Sequence, residues 1–349
     1  MQFQRRVPTI MSWTFQPAKP AFDEMYQTWD SVNRAGANHI LLDSGFISPL
    51  LRHFANGNVI QATRSDSARR GMALLIRKRL GQWETFQPAQ APIGLFLLER
   101  ADSDGRDLLE MTRKLPGHAL QLSILQQDPE YTSAALNQSH NGFERLDYIR
   151  TARITLSGSF EEYWQRRGAN LRHNLSRRRR RATEKGLVPK LIARRAPDEV
   201  AAAIEEYGRL ESSGWKGRDG TAVSSENAQG RFYRDVFECF CARGEGVIYQ
   251  LVLGDKVAAS DLCLVRNGMM VVLKTAYDEA SNDFSPALLM REEILRELYA
   301  QQQVRVIEFY GRVMDWHTRW TDEVRSMYHI NVFRYGWLQS LKNLRKGSP

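Results

Sequence analysis

The sequence predicts an α/β protein of the α+β kind, built on mixed, mostly antiparallel central sheets flanked by helices. Three observations carry this. The stretch from Val247 to Tyr277 reads as three consecutive strands, and the Asn267-Gly268 pair between two apolar runs is the strongest hairpin signal in the chain, since both residues tolerate the positive φ of a two-residue turn. A helix starting at Ser285-Pro286, with Leu288, Leu289, Ile294, Leu295 and Leu298 on its buried side, returns to an apolar run from Val304 to Phe309. A crossover of that length makes the last run a parallel neighbour of the third meander strand. Finally, 349 residues, 42% hydrophobic and 26% charged, make a folded chain long enough for two cores.

In chain order, the first half gives a weaker alternation. Ser48 to Phe54 reads as a helix, Gly71 to Arg77 and Leu95 to Leu98 as strands, Arg106 to Lys114 as a helix and Leu120 to Leu125 as a strand. Asn137 to Gly142 is polar and turn-rich, which places a domain boundary nearby. Ser159-Phe160-Glu161-Glu162 is a capping box, in which hydroxyl and carboxylate satisfy each other's free backbone donors. It opens a helix with Phe160, Tyr163, Trp164, Leu171 and Leu175 on one face and Gly186 as its stop. Val188 to Ala193 is a strand, Pro197-Asp198 opens a helix to about Leu210, and Asn227 to Ala242 is a second helix. Beyond the meander and crossover, Tyr328 to Phe333 reads as a strand and Tyr335 to Leu344 as a closing helix. The domains are therefore residues 1–150, a basic connecting helix over 151–187, and residues 188–349.

Charge is concentrated in that connector. Residues 151–197 hold 13 basic and 3 acidic side chains, whereas 1–150 hold 17 and 15 and 198–349 hold 19 and 22. Arg177 to Arg181 dominates the excess, and two readings stay open: a helix face that is solvated or lies on an acidic neighbour, and a contact for tRNA or another polyanion. Sequence-specific DNA binding is not expected, because the flanking regions add no matching basic surface. No apolar run reaches a membrane span, and residues 1–14 lack the apolar core of a secretory signal. Three cysteines, Cys239, Cys241 and Cys263, form an odd set that fits reduced thiols and a cytoplasmic location. The histidines stand singly, so no metal is expected.

Several stretches in sequence resemble the GNAT superfamily of acyltransferases, and within it the CelD-type or BioF-like branch. They are Leu156-Ser157-Gly158-Ser159-Phe160-Glu161-Glu162-Tyr163, the arginines after Asn170-Leu171-Arg172, Glu211-Ser212-Ser213-Gly214-Trp215-Lys216-Gly217, Phe284-Ser285-Pro286-Ala287-Leu288-Leu289, and Glu308-Phe309-Tyr310 leading to His317-Thr318-Arg319-Trp320. The likeness covers residues 151–340 well and 20–150 more weakly. It implies tandem GNAT-like domains, the first degenerate, with a distant similarity to Fem-type aminoacyl transferases. It also implies acetyl-CoA or another acyl-CoA as co-substrate, lying along an open strand edge with its pyrophosphate at a helix amino terminus. Phe284, Ser285, Pro286, Ala287 and Arg291 are the candidates to hold it. The glycine-rich phosphate loop of the superfamily is absent here, since Asn282-Asp283-Phe284-Ser285-Pro286-Ala287 stands in its place.

Acyl transfer to an amine needs a base, donors for the thioester oxygen and an acid for the leaving thiolate. Asp261 and Lys274 lie inside apolar meander strands, where a charge is costly unless paired or functional. Both readings stand: catalysis, or an ion pair between the two across adjacent strands. Tyr277 ends the third strand, within reach of a leaving sulfur or simply packed there. Glu211, Trp215 and Lys216 in one loop, and Asp315 and His317 in another, are candidate acceptor-binding residues.

Three functions follow. The first is an acyl-CoA-dependent N-acetyltransferase acting directly, in a ternary complex, on a sugar- or amino-acid-derived amine in polysaccharide or cell-envelope biosynthesis. The second is a Fem-like transferase using aminoacyl-tRNA held by Arg177 to Arg181. The third is a non-catalytic scaffold of the same fold that binds a polyanion or a partner protein.

Overall fold

A computed structural model describes residues 13–65, 70–99, 105–131, 142–213 and 223–346. The chain divides into two compact units, Met1–Ile149 with Ser326–Pro349, and Arg150–Arg325. This division differs from the boundaries expected from sequence. The basic segment is part of the second unit, because its helix packs on that unit's sheet layer, and the last strand and helix return to the first unit. Strand Val324–Phe333 pairs antiparallel with Gln121–Gln127, joining Ile330 to Ile124 and Val332 to Leu122 in register. The boundary segment Asn137 to Gly142 lies outside the described residues except for Gly142.

The first unit is a mixed sheet in the order Trp13–Pro17, Val59–Ser65, Arg70–Arg79, Gln82–Thr85, Gln121–Gln127, Val324–Phe333, with Phe96–Leu98 paired to Arg70–Arg79. Only Gln82–Thr85 and Gln121–Gln127 run parallel among these pairs. Helix Arg106–Lys114 sets Leu108 and Met111 into a core with Trp13, Leu75, Leu122 and Val332. Helix Ala18–Ala35 anchors through Trp29, whose indole N–H donates to the Leu42 carbonyl at 2.7 Å.

In the second unit the sheet runs from the end of Phe143–Thr155 through Val306–Glu308, Met269–Tyr277, Lys256–Arg266 and Gly246–Leu253 to Pro189–Arg194. All neighbours are antiparallel except Met269–Tyr277 and Val306–Glu308, the product of the predicted crossover. Asn267 and Gly268 have φ of 53° and 79°, the paired left-handed conformation of a type I′ turn. Helices Val200–Ser213 and Ala228–Ala242 cover one face. On the other lie Pro286–Gln301, Phe160–Gln165 and Ala169–Glu184. Ser159 and Glu162 form the expected reciprocal capping box, the serine hydroxyl accepting from the Glu162 amide and the carboxylate from the Ser159 amide. The single helix expected here is two, because the chain turns at Arg166–Gly168 before restarting at Ala169. Phe160, Tyr163, Leu171 and Leu175 join Leu289, Ile294, Leu298 and Trp320 in one core.

Candidate functional site

Strands Met269–Tyr277 and Val306–Glu308 are in register only from Met269 opposite Val306 to Val271 opposite Glu308. Two local features end the pairing. Leu273 is skipped in the register with Lys256–Arg266, where Leu262 faces Lys274 and Cys263 faces Val272, so the strand bulges there and bends. On the other side, Tyr310 sits in the left-handed region at φ 48° and turns the chain off the sheet. The edge from Val272 to Tyr277 therefore has no strand partner on this side among the described residues. Along it opens a cavity of about 680 Å³.

Its walls come from three places. The strand supplies Val272 to Thr275 and Tyr277, the start of helix Pro286–Gln301 supplies Pro286, Ala287, Leu288 and Arg291, and the segment after Phe309 supplies Met314, Trp316, His317 and Trp320. Ser285 adopts φ 49° and ψ 60° at the helix start, and its carbonyl accepts from the Leu288 and Leu289 amides at 3.0 and 3.1 Å. Pro286 has no N–H, so Ala287 holds the one first-turn amide left without a backbone partner among the described residues.

Beneath this cavity lies a buried ion pair. Arg291 Nη2 is 2.6 Å from Asp261 Oδ2, and the Thr275 hydroxyl donates to Asp261 Oδ1 at 2.5 Å. Burial pushes the Asp261 carboxyl above the ordinary carboxylate range, against the opposing pull of Arg291 and Thr275. The guanidinium also lies over the Phe309 ring, 5.2 Å from its centroid. Lys274 has a different partner, Glu211, at 3.0 Å. That carboxylate further accepts from the Tyr207 hydroxyl and the Val223 amide. The Asp261–Lys274 pair expected from sequence is thus corrected. Asp261 is in register with Thr275, and the adjacent Lys274 points to the opposite face, over Tyr207 and Tyr233.

His317 is 4% exposed, stacked on Trp316 at 3.6 Å and edge-on to Phe309. Its Nδ1 accepts the Met314 amide at 3.0 Å, which assigns the proton of the neutral ring to Nε2. Burial holds its pKa down at about 4.

The arginine run is distributed around its helix. Arg179 pairs with Glu292 and Glu293, and Arg180 faces Glu184. By contrast, Arg178 donates to the carbonyls of Asn282 and Asp283, and Arg181 pairs with Asp283, on the turn Glu279–Phe284 that precedes the cavity helix.

Of the residues expected at a site, Lys274, Tyr277, Ser285, Pro286, Ala287, Arg291 and His317 line the cavity. Asp261 stands behind Arg291, and Glu211 behind Lys274. Phe284 packs in the core with Lys185 over its ring, and Asp315 is exposed at the start of a short helix, so neither lines the space. Trp215 and Lys216 lie outside the described residues. Sequence reasoning missed the wall of Phe309, Arg312, Met314, Trp316 and Arg319. Its one available signal was the density of aromatic and arginine side chains from Phe309 to Trp320.

The mixed sheet and its flanking helices are a fold of the GNAT-superfamily kind. Residues 169–318 match the family described as acetyltransferase (GNAT) domain. Among solved structures the chain is similar to FemX, at 10% identity and a TM-score of 0.60, covering 91% of this chain and 98% of that one. It is also similar to a conserved protein of unknown function from Bacteroides thetaiotaomicron VPI-5482, at 8% identity and a TM-score of 0.57, covering 88% and 97%. A third likeness is to L-PGS from Bacillus licheniformis, at 10% identity and a TM-score of 0.54, covering 88% and 91%. At such identities these neighbours speak for the fold alone. No curated protein sequence matches the chain. Among the described residues, no helix is long and apolar enough to cross a membrane, and no group of three His, Cys, Asp or Glu side chains is placed to hold a metal.

Proposed function

We propose that the unit Arg150–Arg325 transfers an acyl group from acyl-CoA to the amine of a sugar- or amino-acid-derived acceptor. The observation that supports this most is the bare edge from Val272 to Tyr277 alongside a cavity of about 680 Å³. The amides of an extended thioester carrier satisfy that edge as an added strand would. Val272, Leu288, Phe309 and Met314 offer the acyl chain an apolar wall. In this reading the acceptor nitrogen attacks the thioester carbon directly, the C–N bond forms as the C–S bond breaks, the nitrogen gives up its proton to solvent at the open end of the cavity, and the sulfur takes a proton from Tyr277 at the strand end, which regains one from solvent. His317, neutral with its proton on Nε2, is a donor for the carbonyl oxygen. Asp261 acts through Arg291 as a positioning residue, since it is fully buried behind it. Lys274, backed by Glu211, and the Trp316 and Arg319 wall are the acceptor side, where aromatic faces and a guanidinium suit a sugar ring or a carboxylate. In this reading the reaction belongs to polysaccharide or cell-envelope biosynthesis, in the cytoplasm.

The test is binding. Acetyl-CoA is expected to raise the melting temperature and to slow amide exchange along Val272 to Tyr277 and at Ala287. No shift at millimolar acetyl-CoA counts against the reading. A second reading, a Fem-like transfer from aminoacyl-tRNA, is favoured by the arginines beside the cavity; it expects binding of charged tRNA that falls steeply with salt.

A further inference from the structure

Between the arginine helix and the turn Glu279–Phe284 lies a second hollow, of about 510 Å³, lined by Arg177, Arg178, Arg181, Asn282, Asp283 and Ser285. Asn282 and Ser285 also line the larger cavity, so the two spaces meet at the amino end of helix Pro286–Gln301. We propose that this hollow is a phosphate seat, in which guanidinium groups rather than the backbone amides of a glycine-rich loop hold the far, phosphorylated end of a nucleotide-type acyl carrier. The identity of that carrier rests on the acyl-CoA reading above; the seat itself does not.

The helix start alone is a poor anion site. Pro286 lacks an N–H and the Leu288 and Leu289 amides return to Ser285, which leaves Ala287. The side chains of the neighbouring helix make good the deficit. Asp283, whose carboxylate would repel a phosphate, is bound to Arg181 at 3.1 Å. Arg178 Nη1 engages the carbonyls of Asn282 and Asp283 at 2.9 and 3.0 Å, which docks the helix on the turn and occupies two further negative dipole ends. Among the described residues, Arg177 has only the neutral Asn174 Oδ1, at 3.2 Å, as a hydrogen-bond acceptor. Three guanidinium groups against one carboxylate leave the lining with an excess of two positive charges, a match for a phosphate monoester or a pyrophosphate. A polynucleotide needs a run of such sites, and the adjacent Arg179 and Arg180 are already committed to Glu292, Glu293 and Glu184.

Calorimetric titration of the full chain with coenzyme A, pantetheine and inorganic pyrophosphate tests this, on wild type and on Arg177→Gln/Arg181→Gln. Arg178 is kept so that the helix stays docked, and Arg177→Gln alone, which breaks no ion pair among the described residues, serves if the double variant unfolds. Coenzyme A is expected to bind at least tenfold more weakly to the variants, pantetheine equally well to all, and pyrophosphate to displace coenzyme A from wild type. Equal coenzyme A affinity across the proteins overturns the seat and leaves the carrier reading intact. Arginine-dependent pyrophosphate binding without coenzyme A binding keeps the seat and removes acyl-CoA as the donor. Silence to both ligands removes both. A single-stranded RNA that binds through these arginines while coenzyme A is unaffected reassigns them to RNA and overturns the proposal.

Discussion

Arg291 Nη2 stands 2.6 Å from Asp261 Oδ2, with neither side chain more than 3% exposed. Buried pairs of this kind stabilise little relative to an apolar replacement, but losing one member strands a charge in low dielectric. Asp261→Ala is therefore expected to lower unfolding free energy by about 3–5 kcal/mol in urea titration, with Asp261→Asn/Arg291→Met recovering much of the loss. A single variant as stable as wild type would show that the pair is not what orders the cavity floor.

Lys274 and Glu211 allow stability to be separated from chemistry. Lys274→Met leaves Glu211, 5% exposed, without its cation, and is expected to cost about 3 kcal/mol. Lys274→Met/Glu211→Gln removes both charges and should fold nearly as well. If the lysine handles the acceptor, the double variant stays folded and still loses acyl transfer, mainly through a raised KM for the acceptor. Full activity in it restricts the pair to holding helix Val200–Ser213 on the sheet.

The pattern of legible and illegible features has a physical basis. Lys256–Arg266 and Met269–Tyr277 flank the hairpin turn expected from sequence, because the Asn267-Gly268 turn fixes their register locally. Helix Ala18–Ala35 was missed: its stripe of Phe22, Met25, Trp29 and Val32 is interrupted near its start by Pro20 and by Lys19, which is not helical. Gly168 does not stand out in the sequence as a break, because the arginines on either side read as one continuous helical face. At the site, the candidates on the meander and crossover helix were visible since local pattern places them. The choice of Arg291 rather than Lys274 as the partner of Asp261 depends on the bulge at Leu273 and on a helix 30 residues away, and the aromatic wall depends on the left-handed turn at Tyr310. Neither is encoded in periodicity.

His317 makes stability depend on pH in a definite direction. Its folded pKa, about 4, lies below the ordinary 6.5, so the unfolded chain takes up the proton first as pH falls. The contribution of the neutral ring is complete above pH 6.5 and is lost progressively between 6.5 and 4, by at most about 1.4 kcal/mol per pH unit. His317→Gln should flatten the stability profile in that window relative to wild type, as read from urea midpoints at pH 4.5, 5.5 and 7. The same neutrality predicts that activity shows no His317 titration between pH 6 and 8.

The cavity can be filled without disturbing the core. Ala287 is half-buried at the lip, on the first turn of helix Pro286–Gln301. Ala287→Trp puts a large side chain into the space beside the bare edge, and its expected effect is a loss of acyl-CoA binding of about a hundredfold or more with a melting temperature within a few degrees of wild type. Unchanged coenzyme A affinity in a folded Ala287→Trp protein would place the donor elsewhere.

Tyr277 ends the edge strand, 40% exposed and on the cavity wall, and its removal strands no buried group. Tyr277→Phe deletes one oxygen and should leave stability within about 0.5 kcal/mol. If its phenol protonates the departing sulfur, kcat falls by about a hundredfold or more while KM for the donor holds, because the interaction is made only as the C–S bond breaks. The loss should shrink with an acyl donor whose thiol is more acidic, since a better leaving group needs less help from an acid. A Tyr277→Phe protein with wild-type kcat on both donors assigns the residue to packing and leaves protonation of the thiolate to water at the open end of the edge.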